Sequence, residues 1–162
     1  MIEVYRGSVN AWECDGNGHL NVRFFMEKVW DGFARLCAHA GIGAPFADTM
    51  PSTLVARDVH IRFLKELRGG AGLSIHAGVL SIDADRASLL FEVRHVDGTP
   101  AATYVIDVRH ETDHSGAIAL GPATRAALED LIMPLPAHAA PRSIDMNISP
   151  HDGVNRARAA EL

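Results

Sequence analysis

The sequence predicts an α+β fold in which an antiparallel sheet wraps around one long helix. Apolar residues recur every three to four positions over residues 22–40, which is typical of a helix with one buried face. Four later segments instead alternate apolar and polar residues, which is typical of strands with one buried face. Such a sheet needs cover for its apolar face, and the helix is the only predicted element large enough to supply it.

A first strand is predicted at residues 3–13, before the helix. Asn21 is the predicted N-cap of the helix, because its side-chain oxygen can accept a free backbone N–H of the first turn. Gly41 is the predicted residue just past the C-terminal end, since glycine enters the left-handed region without a Cβ clash. The predicted apolar face consists of Val22, Phe25, Met26, Val29, Trp30, Phe33, Leu36, Cys37 and Ala40.

Four strands and a short helix are predicted after the long helix. The strands are placed at residues 54–67, 73–82, 87–96 and 101–111, with a short last strand at 117–120. Short turns join them, so we expect a four-stranded antiparallel meander. A short helix is predicted from Pro122, because proline fits the first turn of a helix.

Length and composition indicate a single globular domain. The chain has 162 residues, of which 48% are hydrophobic and 22% charged. A chain of this length can bury a sizeable core. We expect one domain at residues 1–134 and an irregular tail at 135–162 that is rich in Ala, Pro, Ser, Asn and Arg.

Charge and hydropathy argue against several classes of protein. A formal net charge of −5 does not suit a general nucleic-acid binder, which needs a basic face. No apolar run approaches the roughly 20 residues that span a bilayer, and the first residues do not resemble a signal peptide. Two cysteines, Cys14 and Cys37, are fewer than a secreted disulfide scaffold normally carries. We therefore expect a cytoplasmic protein with neither a membrane nor a nucleic acid as partner.

The segment DGNGHLN at residues 15–21 places polar residues directly before the helix. The first turn of a helix offers unpaired N–H groups and partial positive charge, which can polarise a carbonyl oxygen. Gly16 and Gly18 let the backbone approach a ligand closely. Asp15 can act as a general base toward water or attack a carbonyl carbon directly. A role in the turn alone would also explain this aspartate.

Simpler interpretations exist for the neighbouring residues. His19 can hold the loop by hydrogen bonding, and Asn21 as an N-cap needs no further role. Cys14, Asp15 and His19 lack the separated spacing of typical zinc sites, so we expect no metal.

A second polar cluster, His110, Glu111, Asp113 and His114, is interpreted as a solvated turn.

Residues 14–42, CDGNGHLNVRFFMEKVWDGFARLCAHAGI, resemble the hotdog-fold acyl-CoA thioesterases of the 4-hydroxybenzoyl-CoA thioesterase type. The matching pattern is an Asp, a short glycine-containing loop, a His, an Asn and an aromatic-rich helix that ends in Gly. These residues are Asp15, His19, Asn21, Phe24, Phe25 and Gly41. The resemblance implies a hotdog fold assembled as a homodimer or a dimer of dimers. It also implies hydrolysis of a small or medium acyl-CoA thioester between subunits, and we expect no cofactor.

The resemblance implies that Asp15 is the catalytic aspartate, and His19 and Asn21 are the further catalytic candidates. The substrate-binding candidates are Gly18, Val22, Arg23, Phe24, Phe25, Arg57 and Arg62. Arg57 and Arg62 could meet CoA phosphates by charge-assisted hydrogen bonds, although a solvated strand face explains them as well.

The acyl group is less well defined. Trp12 and Trp30 could cage a cationic acyl group such as a betaine by cation–π attraction. Phe46 is a further candidate for an apolar acyl pocket. The segment PLPAHAAPRSI at residues 134–144 is similar to part of thioesterases of carnitine breakdown.

Two other functions are compatible with the sequence. A hotdog hydratase or dehydratase also pairs Asp with His, but the spacing Asp15-x-Asn17-x-His19 is one residue shorter than that pattern and lacks its proline. A non-catalytic acyl-CoA-binding protein is the other, because a fold does not fix a function. Glu27 is the reserve catalytic acid, since another hotdog branch uses a glutamate on the helix.

Overall fold

The computed structural model describes residues 1–43, 52–112 and 116–140. The elements are β1 (Ile2–Ser8), a short 3₁₀ helix (Ala11–Glu13), α1 (Val22–His39), β2 (Thr53–Phe63), β3 (Gly72–Ile82), β4 (Arg86–His95), β5 (Pro100–Thr112), β6 (Gly116–Ala117) and α2 (Pro122–Glu129). The strands form one antiparallel sheet in the order β1-β3-β4-β5-β2, with β6 paired to β5. The predicted α+β fold, with one long helix on an antiparallel sheet, is confirmed.

Both predicted ends of α1 are confirmed. The side-chain oxygen of Asn21 accepts the backbone N–H of Arg23 at 3.0 Å, which satisfies one free donor of the first turn. At the other end, Gly41 has φ 70° and the N–H of Ile42 donates to the Cys37 carbonyl at 2.9 Å. This closure is a Schellman motif, and the left-handed residue in it favours glycine.

The core lies between α1 and the sheet. Its largest fully buried side chains are Phe33 and Leu36 from α1, and Leu54, Leu73, Ile75, Leu89, Phe91, Tyr104 and Ile106 from the strands. The rings of Phe33 and Phe91 lie 6.0 Å apart, centroid to centroid. Gly32 lets α1 approach β1 closely, because a Cβ at this position would lie 2.9 Å from Cγ2 of Val4. The helix is thus fixed against the sheet by its middle turns, whereas Val22 at its start is 53% exposed.

The predicted four-stranded meander is wrong in one connection. β2 pairs with β5, from Thr53 opposite Glu111 to Phe63 opposite Ala102, and not with β3. The glycine-rich segment after β2 does not close a hairpin, because its backbone bonds elsewhere. The N–H of Gly70 donates to the Val9 carbonyl at 2.8 Å, and the N–H of Val9 donates to the carbonyl of Ala71 at 2.8 Å. This segment therefore crosses to β1, and among the described strands it is β3, β4 and β5 that form the meander.

Two predicted strands end earlier than expected. The first ends at Ser8 and gives way to the 3₁₀ helix, which leaves Trp12 75% exposed. The second ends at Phe63, because the N–H groups of Leu64 and Lys65 both turn onto the Ala101 carbonyl, at 2.8 and 3.0 Å. Residues 64–67 are therefore a loop at the edge of the sheet.

The segment that follows α2 packs against the sheet. The Val79 N–H donates to the Leu131 carbonyl at 3.0 Å, and the Met133 N–H donates to the Val79 carbonyl at 2.9 Å. Further along, Arg62 Nη1 donates to the Ala140 carbonyl at 2.7 Å.

His138 contacts the buried carboxylate of Glu92. Across the sheet, Thr103 pairs with both Arg62 and Glu92, so these three side chains point to the same face. Phe91, the strand neighbour of Glu92, points to the other face. Because neighbouring residues of a strand point to opposite faces, this segment covers the face opposite α1.

Parts of several predictions fall outside the described residues. These are Phe46, Asp113, His114 and the tail beyond residue 140. Within the described residues, Ala139 is fully buried, and the domain boundary at residue 134 stays a prediction. None of the helices described is long and apolar enough to cross a membrane.

Candidate active site

Residues 14–20 form a tight hairpin that presents Asp15. Cys14 and Leu20 pair as an antiparallel bridge, and the N–H of Asp15 donates to the His19 carbonyl at 2.8 Å. The N–H of Gly18 donates back to the Asp15 carbonyl at 3.0 Å. Gly18 has φ 77°, a conformation that favours glycine and lets the chain reverse here.

The hairpin is anchored to the chain on both sides. The second arm of the hairpin pairs with the end of the loop after β2, since the Leu20 N–H donates to the Leu67 carbonyl at 2.7 Å. On the other side the Asn21 N–H donates to the Glu13 carbonyl at 2.9 Å. The position of Asp15 is therefore set by backbone bonds and not by a free loop.

The Asp15 carboxylate is exposed, and backbone donors hold it. Oδ1 accepts the N–H of Asn17 at 2.8 Å and the N–H of His19 at 3.1 Å. These two hydrogen bonds, first that from His19, lower the pKa of Asp15 below its ordinary value. The group is thus a carboxylate at neutral pH, and no hydrogen bond from a described residue reaches its Oδ2.

The start of α1 leaves one backbone donor free. The N–H of Arg23 is capped by the Asn21 side chain, and those of Phe24 and Phe25 donate to the Asn21 carbonyl at 2.9 and 3.2 Å. The N–H of Val22 has no acceptor among the described residues. Of the amides predicted near Asn21 to Phe24, Val22 is therefore the one able to bind an external oxygen.

Asp15 and Val22 line the same open groove, which has a volume of about 310 Å³. The groove is lined by Asp15, His19, Leu20, Val22, Phe25, Phe63, Leu64, Lys65, Glu66 and Leu67. Phe25 and Phe63 meet edge to face, with centroids 5.4 Å apart. Val22, Phe63 and Leu64 are all exposed, so one wall of the groove is apolar and open. Four of the predicted site residues, Asp15, His19, Val22 and Phe25, are thus brought together.

Half of the groove was missed by sequence reasoning. The alternation of apolar and polar residues predicts residues 63–67 as part of a strand, and only the charged pair Lys65-Glu66 after an apolar pair indicates where this strand ends. Glu66 Oε2 lies 2.9 Å from His19 Nε2, in a contact that is not aligned as a hydrogen bond. The imidazole of His19 therefore faces a carboxylate that the sequence pattern did not associate with it.

The predicted arginines do not line this groove. Arg57 pairs with the carboxylate of Glu111 and lines a separate polar groove of about 590 Å³. Arg62 donates to the carbonyl of Ala140, as described above. Arg23 pairs with Glu27 at 3.0 Å on the exposed face of α1. Contact of these arginines with CoA phosphates stays a prediction.

Other candidate groups are accounted for by local contacts. His110 is buried, with Nε2 2.9 Å from Ser52 Oγ and Nδ1 3.2 Å from the Ala119 carbonyl, so its interpretation as a solvated turn residue is wrong. Trp30 packs edge-on against Phe33, with centroids 5.3 Å apart.

Across the ranges described, no three His, Cys, Asp or Glu side chains are grouped to hold a metal ion.

Solved structures share this fold. A Staphylococcus aureus protein solved in complex with CoA superposes with a TM-score of 0.75 at 18% identity, covering 88% of this chain and 96% of that one. The dynemicin thioesterase superposes with a TM-score of 0.69 at 19% identity, covering 82% and 99%. The DHNA-CoA thioesterase of Staphylococcus aureus gives 0.67 at 14% identity, covering 80% and 91%. The predicted hotdog arrangement is thereby confirmed.

Sequence comparison adds a relative and a family. The L-carnitine dehydrogenase/betainyl-CoA thioesterase of Agrobacterium fabrum is 29% identical over 143 residues, which are 85% of this chain. This chain spans only 29% of that relative's length. Residues 9–140 match the Thioesterase-like superfamily. Since this match covers most of the chain, the protein belongs to the Thioesterase-like superfamily.

Proposed function

We propose that this protein hydrolyses acyl-CoA thioesters to the free acid and CoA in the groove between the hairpin and the loop after β2. One observation carries the proposal: Asp15, whose carboxylate is exposed, and Val22, whose N–H has no acceptor among the described residues, line the same groove. Thioester hydrolysis needs an oxygen nucleophile on one side of the carbonyl carbon and a donor for the oxygen that becomes negative.

In this scheme the thioester carbonyl oxygen accepts the N–H of Val22. Asp15 either removes a proton from the attacking water or attacks the carbonyl carbon itself, after which the CoA thiolate leaves. In the second case water then hydrolyses the acyl-aspartyl anhydride. Loss of one oxyanion donor typically lowers the rate about 10²–10³-fold, so the Val22 amide contributes a large share of the rate.

The remaining catalytic candidates have supporting roles in the proposal. His19 donates its backbone N–H to Asp15 Oδ1, so it helps to hold the carboxylate as an anion. Asn21 caps the N–H of Arg23 and leaves that of Val22 free. We assign both residues to positioning and not to proton transfer.

The acyl group is proposed to be small or medium in size. The similarity to an enzyme named betainyl-CoA thioesterase supports betainyl-CoA as the first substrate to test. The carboxylates of Asp15 and Glu66 and the rings of Phe25 and Phe63 would suit a cationic acyl group. The original resemblance supports 4-hydroxybenzoyl-CoA as the second.

Assembly is part of the proposal. We infer a homodimer or a dimer of dimers, in which a second subunit covers the open apolar wall formed by Val22, Phe63 and Leu64. The proposed setting is the cytoplasm, where acyl-CoA substrates and reduced thiols coexist.

The proposal is tested by following free thiol from betainyl-CoA, 4-hydroxybenzoyl-CoA and a series of linear acyl-CoAs. Asp15→Asn and Asp15→Ala should remain folded and lose at least about 10²-fold in kcat, the scale of a removed catalytic group. Asp97→Asn is the matched control, since Asp97 is also exposed and also accepts a backbone N–H two residues later, at 2.9 Å from Thr99. Wild-type rates in both Asp15 variants would refute the assignment.

Two outcomes would favour the alternatives. Loss of the conjugated absorbance of an enoyl-CoA, without thiol release, would indicate a hydratase. Acyl-CoA binding seen by calorimetry, without turnover of any substrate, would indicate a binding protein.

A further inference from the structure

A buried ion pair includes the residue that directly precedes the hairpin that carries Asp15. Lys28 Nζ is 2.7 Å from Glu13 Oε1, and the two side chains are only 8% and 10% exposed. Lys28 projects from the second turn of α1, and Glu13 is the last residue of the 3₁₀ helix. Lys28 Nζ also lies 3.5 Å from the Tyr5 hydroxyl.

Both groups keep their charges in this position. Burial works to raise the pKa of Glu13, but the hydrogen bonds from Lys28 and Asn10 outweigh it and lower that pKa. Burial likewise works to lower the pKa of Lys28, and its hydrogen bond to Glu13 raises it instead. An apolar pair of similar volume is often as stable as a buried ion pair, so stability alone is a weak reason for two charges here.

The bonds of Glu13 point to a second role. Its Oε2 accepts the N–H of Asn10 at 2.8 Å, and its backbone carbonyl accepts the N–H of Asn21 at 2.9 Å. Glu13 and Asn21 are the residues that flank the hairpin. The side chain of Glu13 thus binds Lys28 of α1, and its backbone binds Asn21 at the far end of the hairpin. Through these contacts α1 is connected to both ends of the segment between Asp15 and Val22.

We propose that Glu13 and Lys28 are positioning residues, which hold the Asp15 carboxylate and the Val22 N–H at a fixed separation from each other. This inference rests on the proposed thioesterase function. Two groups that act on opposite sides of one carbonyl must keep their relative position closely, and a misplacement of about 1 Å can lower a rate roughly 10²-fold. Neither Glu13 nor Lys28 lines the groove, so neither is expected to touch the substrate.

The test is the double variant Glu13→Gln/Lys28→Met, which removes both buried charges and leaves no unpaired one. Its melting temperature should stay close to that of the wild type. Its kcat for the best acyl-CoA should fall about ten-fold or more while KM changes less than about two-fold, because alignment and not binding is lost. Lys28→Arg, which keeps the cation opposite Glu13, should retain more activity than Lys28→Met.

Glu129→Gln serves as the control, since it removes the exposed pair of Glu129 with Arg125 on α2. It should leave kcat and KM unchanged. If the double variant does not fold, Lys28→Arg replaces it, because both buried charges stay paired and only the geometry of the pair changes; its kcat should then fall with KM unchanged.

The failure of this inference and the failure of the proposed function give different results. If Asp15→Asn abolishes thiol release but the Glu13 and Lys28 variants keep the wild-type kcat, the positioning role is wrong. A rise in KM with kcat unchanged would also overturn it. If Asp15→Asn has no effect, the proposed function itself fails.

Discussion

Asp15 and Asp97 each accept the backbone N–H of the residue two positions later, and Asp15 lines the groove that also contains Val22. In each, Oδ1 accepts the N–H of the residue two positions later, at 2.8 Å from Asn17 and 2.9 Å from Thr99. Both pKa values are lowered, chiefly by backbone hydrogen bonds. The difference is that Asp15 lines a groove with the free amide of Val22, whereas Asp97 belongs to the hairpin between β4 and β5.

The pH dependence of the reaction should follow the lowered pKa of Asp15. The active form is the carboxylate, so kcat/KM should persist as pH falls to the ordinary aspartate value of 3.8 and decline only below it. A thiol reagent that reacts in acid would measure this limb. A limb above pH 5 that depends on Asp15 would contradict the geometry described.

The fold must be monitored in the same experiment. The folded-state pKa of Glu13 lies below its ordinary value of 4.5. Its stabilising contribution is therefore present above pH 4.5 and lost as pH falls through the folded-state value. Circular dichroism at each pH would separate unfolding from protonation of Asp15.

Gly32→Ala should destabilise the protein by roughly 1–3 kcal/mol, the usual effect of overpacking a core. The added Cβ would lie 2.9 Å from Val4 Cγ2, where α1 crosses β1. Urea denaturation measures the change. Gly16→Ala is the control, because a Cβ there meets no atom within 4 Å and the residue has no positive φ. Equal stability of both variants would mean that α1 and β1 are not in close contact.

Phe63→Ala should raise KM and lower stability only slightly. Phe63 is 51% exposed, and its ring packs edge to face on Phe25, an arrangement that contributes about 1 kcal/mol. Its open side forms part of the groove wall. Val96→Ala, at an 82% exposed position outside the groove, should change neither quantity. An unchanged KM in Phe63→Ala for every substrate turned over would exclude this wall from the binding site.

Arg62→Ala distinguishes two roles for one side chain. Because Arg62 donates to the carbonyls of Ala137 and Ala140, its loss should speed amide hydrogen exchange in residues 136–140. KM for acyl-CoA should not change if this is its only role. A rise in KM, with hydrogen exchange unaffected, would instead support the predicted contact with CoA phosphates. Arg57→Ala, compared in parallel, tests the other predicted arginine.

Much of the fold could be predicted because its signals are local. The spacing of the apolar face located α1, and Asn21 and Gly41 fixed its ends by their own chemistry. The pairing of β2 could not be predicted, because alternation gives the buried face of a strand but not its neighbour. After β2 the chain does not turn back into a hairpin, because the backbone of Val9 forms hydrogen bonds with Gly70 and Ala71. These contacts join segments that are distant in the sequence.

The candidate site was predictable only on one side. Asp15 and Val22 lie within one continuous segment, so motif and helix start placed them together. Glu66 and Phe63 reach the groove through the pairing of Leu20 with Leu67, a contact between segments that no local pattern encodes. The ion pair of Lys28 with Glu13 was missed for the same reason, since each residue alone reads as an exposed charge.

The segment at residues 134–140 has a consequence for how much of the chain can be trimmed. Glu92 is 2% exposed although it lies on the face away from α1, and His138 is one of the side chains that contact it. Stability should therefore fall abruptly at one point in a series of C-terminal truncations. Removal of residues beyond 140 keeps the contacts of His138 and Ala140, whereas removal back to Pro134 would delete them and expose the Glu92 carboxylate to water.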